Sequence, residues 1–333
     1  MRKIIQYIIP AFILVLPVTL QAQQTPIISQ YMMNKFLVNP ALAGVKGYTN
    51  INFTARQQYS MLQNPPRTFI LSGETRLLED SWIRRKRKVE KKAKNASRNK
   101  NVGIGGYIFN DRNGIINRTG AQFTYAYHIN FNNQYQVSFG LSVSGYQYKL
   151  DASNALIYNT DDPLLNNNKT TFFVPDANAG IYISGKGLYA GLSASQLFGS
   201  SIKLGQNTFE NYKTLRHFYL IAGYKWLVSH TVILEPSFLA RATVDAYVLD
   251  ATARMFYQTN YWIGITYRSN QTLALMAGFM VDGIYLGYAY DATLGALQNY
   301  SGGSHELMVG IRLGDNSTRR SRWLQPDVSE IGE

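Results

Sequence analysis

The 333-residue chain has no cysteine, four histidines, and 20 acidic side chains against 33 basic ones. Without cysteine there are no disulfides, thiolate metal sites or cysteine nucleophiles. His128, His217, His230 and His305 are scattered, and neither HExxH nor GxSxG occurs around them, so no metalloprotease or serine-hydrolase motif is readable. Gly103-Ile104-Gly105-Gly106 lies inside a strand-like stretch rather than between a strand and a helix, which removes it as a nucleotide loop. Asp161-Asp162 lacks the ligand spacing of a calcium loop, and no cofactor is implied. Past the N-terminus no run is long and apolar enough for a membrane helix.

What the chain has is alternation and aromatic surface. Residues 134–146 place Tyr135, Val137, Phe139, Leu141 and Val143 between Gln136, Ser138, Gly140, Ser142 and Ser144. That period of two gives a strand with one apolar and one polar face. The stretch is long enough for a tilted strand to cross a bilayer, which takes about 9 to 11 residues. Aromatic residues make up 13% of the chain, with 24 Tyr, 16 Phe and 4 Trp, a composition suited to a lipid–water boundary. A half-buried strand of a soluble sandwich would show the same local pattern.

Alternation and turn signals predict fourteen strands, near 47–59, 66–78, 101–110, 118–130, 134–148, 174–184, 187–197, 213–226, 229–241, 245–256, 259–268, 271–281, 283–292 and 303–313. The connections sort by length. Short ones fall at 131–133, 185–186, 227–228, 258 and 282, and long ones at 149–173, 198–212 and 293–302, on the opposite side. Outer-membrane barrels keep short periplasmic turns and long outer loops, whereas a soluble sandwich has no reason to segregate them. The expected fold is therefore all-β, a single-chain antiparallel transmembrane barrel of about fourteen strands spanning 47–313.

Residues 1–22 read as a signal peptide: Arg2 and Lys3, an apolar run interrupted by Pro10 and Pro17, then Leu20-Gln21-Ala22. Residues 23–46 form an N-terminal segment at the periplasmic side or in the barrel mouth, and 314–333 a C-terminal tail. One short-side connection breaks the length rule and concentrates the charge. Between 84 and 100 there are ten basic residues against one acid, among them Arg84, Arg85, Lys86, Arg87, Lys88, Lys91, Lys92 and Lys94. This segment accounts for +9 of the formal +13. It lacks the aromatic platforms and fold of a nucleic-acid binder. It reads either as a solvated charged loop or as a periplasmic contact for acidic proteins or anionic lipid. If apolar alternates face lipid, Arg56, Glu74, Arg76, Glu235, Asp250, Arg254, Glu306 and Arg312 project into the lumen. Mixed signs favour paired networks over an ion-selective pore.

Gln30-Tyr31-Met32, Asn34 and Asn39-Pro40-Ala41-Leu42-Ala43-Gly44 resemble the N-terminal signature of the PorP/SprF family of type IX secretion outer-membrane proteins. The resemblance continues through Arg56-Gln57-Gln58-Tyr59, Pro65-Pro66-Arg67-Thr68, Pro175-Asp176-Ala177-Asn178-Ala179-Gly180, Leu234-Glu235-Pro236-Ser237-Phe238, Ala289-Tyr290-Asp291 and Gly303-Ser304-His305-Glu306. It marks Gln30, Tyr31, Met32, Asn39, Pro40, Ala41 and Gly44 as family-motif positions. It implies a non-enzymatic barrel in the outer-membrane lipid of Bacteroidota-type bacteria, where it assists export or surface attachment of a secreted client such as a gliding adhesin. Periplasmic type IX components are the implied machinery partners, and nucleic acid is not a partner. A porin-like channel and a barrel hydrolase stand as alternatives.

Overall fold

The computed structural model describes residues 27–77, 101–131, 135–151, 169–199, 201–203, 211–295 and 298–314. The strands are β1 (Thr49–Gln57), β2 (Arg67–Arg76), β3 (Val102–Asn113), β4 (Ile116–Phe131), β5 (Tyr135–Asp151), β6 (Lys169–Gly185), β7 (Leu188–Ser195), β8 (Ser201–Lys203), β9 (Asn211–Lys213), β10 (His217–Tyr224), β11 (Trp226–Ser229), β12 (Val232–Ala242), β13 (Tyr247–Tyr257), β14 (Tyr261–Arg268), β15 (Thr272–Val281), β16 (Ile284–Thr293) and β17 (Ser304–Leu313). β8 and β9 form a separate hairpin, and β10 and β11 are two parts of one wall strand broken at Lys225. The remaining strands follow one another antiparallel, and β1 pairs with β17 from Thr49↔Leu313 to Gln57↔His305. The sheet thus closes as a barrel of fourteen wall strands and leaves no open edge.

Burial is inverted relative to a soluble protein. On β1 the apolar Ile51 and Phe53 face outward, while Asn50, Asn52, Thr54 and Arg56 are buried. On β5, Phe139, Leu141 and Val143 are exposed, and Gln136, Ser138 and Ser142 are buried. An apolar exterior around a polar interior is the arrangement of a barrel in lipid. Exposed Phe131, Tyr135, Tyr224, Trp226, Tyr257 and Tyr261 lie at one end of the wall and form an aromatic band where the bilayer meets water. Among the described residues no helix is long and apolar enough to cross a membrane.

That end also carries the short turns, including Lys186-Gly187 and Asp282-Gly283. In both, the two residues have positive φ (46° and 83°, 48° and 84°), as tight hairpins that follow the strand twist require. By the short-turn rule this end is periplasmic. The long 77–101 connection is its exception, and residues 84–100 with their basic side chains lie outside the described residues, as do 1–22 and 315–333.

Strand limits differ from expectation in four places, one of them the β8–β9 hairpin, which takes up part of the expected 198–212 loop and leaves the next wall strand to begin at His217. β3 and β4 continue to Asn113 and from Ile116, so only Gly114 and Ile115 separate them. β5 and β6 reach Asp151 and start at Lys169, converting part of the expected 149–173 loop to strand. At the outer ends of β3 and β4 residues of both faces are at least partly exposed, so alternation fades there, while backbone pairing persists through both extensions. The expected turn at 227–228 is instead ladder, with Leu227 opposite Ile233 and an irregularity before Ser229, and the chain reverses at His230-Thr231.

Candidate functional site

Residues 27–48 occupy the lumen. Asn39 is extended (φ −139°, ψ 117°), as a residue before proline prefers, and caps a 3-10 turn, Pro40–Leu42, by accepting a hydrogen bond from Ala41 N at 2.9 Å. Pro40 opens the turn, where no backbone donor is needed. Gly44 ends it at φ +69°, and a Cβ there would sit 2.5 Å from the Thr75 carbonyl oxygen. The segment is thus a compact knot rather than a strand, which is why alternation does not reveal it.

The knot fits the wall because the wall gives way. A Cβ at Gly103 would overlap the Ala43 carbonyl oxygen, and one at Gly140 would overlap the Ala41 backbone. The plug's apolar side chains then form the molecule's main core. Tyr31, Met32, Ala41 and Leu42 pack with Tyr182, Tyr189, Ile221 and Leu239, and Met33 packs with Trp262, Tyr285 and Met308. Phe36 meets Tyr107 edge-on at 6.1 Å.

Polar contacts fasten it from several sides of the barrel. Ser29 N and Gln30 N each donate to Glu306 at 2.8 Å, and Ser29 Oγ donates to Asp291 at 2.6 Å. Asn34 Nδ2 donates to Ser72 Oγ at 2.7 Å, and Gly44 N to Glu74 at 3.0 Å. Asn39 Nδ2 donates to the carbonyls of Ile181 and Leu192 at 3.0 and 3.1 Å. His128, fully buried, is held between Ser138 Oγ (2.7 Å) and the Ala43 carbonyl (3.0 Å).

The charged lining forms two groups. In the first, six charges alternate: Glu306, Arg56 (3.0 Å), Asp291 (2.7 Å from Arg56), Arg268 (3.5 Å), Asp250 (2.9 Å from Arg268) and Arg241. Three cations face three anions, so buried charge is balanced within the network. In the second, Glu235 accepts from Arg254 at 2.7 Å, Lys35 of the plug at 3.1 Å and Tyr189 OH at 2.8 Å. Lys35 also lies 3.4 Å over the Tyr189 ring.

Of the charged positions singled out from sequence, Arg56 meets Glu306 and Arg254 meets Glu235. Glu74 faces the plug, and Arg76 is buried at the foot of β2. Arg312 stacks on Tyr48 and Tyr285 at 5.5 and 5.3 Å. Asp250 pairs with Arg241 and Arg268, which sequence reasoning did not single out, and Asp291 was read only as part of a family-like tripeptide. Parity was the available signal: Arg241 lies six residues after Glu235, on the same face of β12. Gln30, Tyr31, Met32, Asn39, Pro40, Ala41 and Gly44 all lie in the plug. Asp161 and Asp162 lie outside the described residues.

Asn39 supplies three of the plug's bonds. Asn39→Ala is expected to weaken plug docking by about 2 to 3 kcal/mol, at about 1 kcal/mol per bond, with the wall intact. Hydrogen exchange at Ala41 to Gly44 checks this: those amides should exchange faster while the β5 and β6 ladder stays protected.

Against known proteins, residues 20–311 match the model of the family described as type IX secretion system membrane protein PorP/SprF. No curated protein matches the chain in sequence. Among solved structures it is similar to the CymD monoaromatic hydrocarbon channel, at 11% identity over 86% of this chain and 92% of that one, with a TM-score of 0.44. It is also similar to the toluene transporter TodX of Pseudomonas putida (8%, 84% and 92%, 0.41) and to a KdgM porin (8%, 80% and 98%, 0.33). These distant likenesses say nothing of what the chain carries. With 20–311 covered by its family's model, the chain belongs to the PorP/SprF family of type IX secretion system membrane proteins and is integral to the outer membrane.

Proposed function

We propose that this chain is a non-enzymatic component of type IX secretion whose two ends, rather than its bore, do the work. The outer end would hold a particular secreted surface protein, such as a gliding adhesin, during export or attachment, and the periplasmic end would contact the secretion machinery. The observation that carries this reading is the filled lumen: a barrel fastened to its own N-terminal segment by buried hydrogen bonds and the Lys35–Glu235 ion pair is poorly suited to passing solutes. The outer connections supply a second argument, since Met61, Leu62, Ile115, Phe198, Val244 and Leu294 are exposed there, above the wall. Apolar side chains in water-facing loops fit a surface that another protein covers. The basic residues of 84–100 are proposed to meet acidic machinery or anionic lipid at the periplasmic rim.

The test is purification from outer membranes in mild detergent, with mass spectrometry of the proteins retained. The expected result is a large secreted protein together with periplasmic components. Replacing the Lys and Arg of 84–100 by Ser should release the periplasmic components and leave both barrel and client in place. A partnerless barrel that conducts ions in planar bilayers would instead make this a channel and end the reading.

A further inference from the structure

At the periplasmic end, plug and wall enclose a pocket of about 50 Å³ whose lining includes Lys35, Lys46, Lys225, Glu74, Gln136 and Ser184. Its charge is lopsided. Glu74 is occupied by Gly44 N, and Glu235, behind Lys35, already serves Arg254 and Tyr189 as well. Lys46 has the Tyr48 ring at 5.8 Å, and among the described residues neither Lys46 nor Lys225 has a carboxylate within 4 Å. Three lysines, Lys35, Lys46 and Lys225, thus line the pocket with Glu74 as its one carboxylate, and Glu235 behind Lys35 is shared with Arg254, so the site is net positive.

A separate observation points the same way. Gln136 is 3% exposed, lines the pocket and has an Nε2 donor with no partner. Buried donors are normally satisfied, and one left over marks a missing acceptor. Burial, with Arg312 acting in the same direction and Glu74 against it, lowers the Lys46 ammonium to about 8.

We propose that this pocket binds a phosphoryl oxyanion, held by Lys35, Lys46, Lys225 and the Gln136 amide. A phosphate dianion offsets the positive excess, and its oxygens accept from donors arriving from several directions. A carboxylate brings one charge and a planar pair of acceptors, better matched by an arginine fork. One water takes about 10–15 Å³ of such space, so the pocket holds a few waters or one small anion. The group belongs either to inorganic phosphate or to a lipid headgroup entering from the inner leaflet.

The experiment uses the full chain in detergent. Inorganic phosphate is titrated calorimetrically, and phosphorus-bearing lipid carried through purification is measured by native mass spectrometry. Saturable phosphate binding, tighter than acetate, identifies the free anion. Stoichiometric phospholipid without phosphate uptake identifies the headgroup. In either case Lys46→Met with Lys225→Met should weaken or remove the ligand at least tenfold, and Gln136→Leu by about fivefold, roughly one neutral hydrogen bond. Heat-modifiable gel mobility confirms that each variant retains its barrel. No phosphorus in either arm, acetate binding as tightly as phosphate, or folded variants that bind like the parent would each overturn the proposal.

Discussion

Glu306→Ala should cost about 3 to 5 kcal/mol of barrel stability, the usual penalty for removing one partner of a buried charge network. Three losses coincide at this carboxylate. The Ser29 and Gln30 backbone donors lose their acceptor, and Arg56 loses its 3.0 Å partner. The six-membered network then holds three cations against two anions, all of them buried. The change is read as a lower urea midpoint in heat-modifiability, with faster proteolysis of the chain near Ser29. Glu306→Gln, which keeps an acceptor but not the charge, should fall between parent and Ala. Arg56→Met added to Glu306→Gln restores charge balance, so the double variant should be less damaged than the two single changes summed. An unchanged midpoint in Glu306→Ala would mean that the network contributes nothing to holding the plug.

Why Glu306 was legible in the sequence, and Asp291 as its co-partner was not, has a physical explanation. A membrane barrel wall is written with period two, so every wall strand appears as an alternation, and Glu306 stands out as an acid on the polar face of an otherwise plain strand. Parity says which face a side chain takes but nothing about which strand lies opposite or how strands are staggered. The bond from Arg56 to Asp291 joins residues 235 apart in sequence and depends on the closure of β1 on β17 beside β16. The plug is the harder case. Its Asn-Pro and Gly44 signals mark turns, yet turns outside a barrel and turns inside one look alike. What distinguishes them is the set of wall glycines facing the plug, and a glycine on the polar face of a strand is indistinguishable by sequence from any other small residue. Strand ends were misread for a related reason. Where residues of both faces are at least partly exposed, as at the outer ends of β3 and β4, the alternation that identifies a strand disappears before the strand does.

Those wall glycines make the second large effect. Gly140→Val should expel the plug without opening the wall. Valine suits a strand backbone, and the Gly140↔Gly180 pairing uses main-chain groups that the substitution leaves alone. The new Cβ, however, overlaps Ala41 N, Ala41 Cα and the Pro40 carbonyl carbon, backbone atoms that cannot rotate aside as a side-chain tip would. Inserting volume into a packed contact costs about 1 to 3 kcal/mol even where neighbours can shift. Here the neighbour is the Asn39-capped turn, whose withdrawal also breaks the bonds to Ile181 and Leu192. Barrels of 16 to 18 strands hold a water-filled channel, whereas about eight strands leave room only for side chains, and a fourteen-stranded wall lies near the open end of that range. The parent should therefore be closed in planar bilayers and Gly140→Val conducting, at the level reached by deleting residues 27–46. Gly73→Val is the matched control, because a Cβ there meets nothing within 4 Å, and it should stay closed. Equal conductance in the two valine variants would show that the plug is not held by its fit to the wall. A closed Gly140→Val with a folded barrel would show that the turn can re-seat elsewhere in the lumen, making the polar contacts of Glu306 and Glu235 with the plug, rather than close backbone contact, the seal.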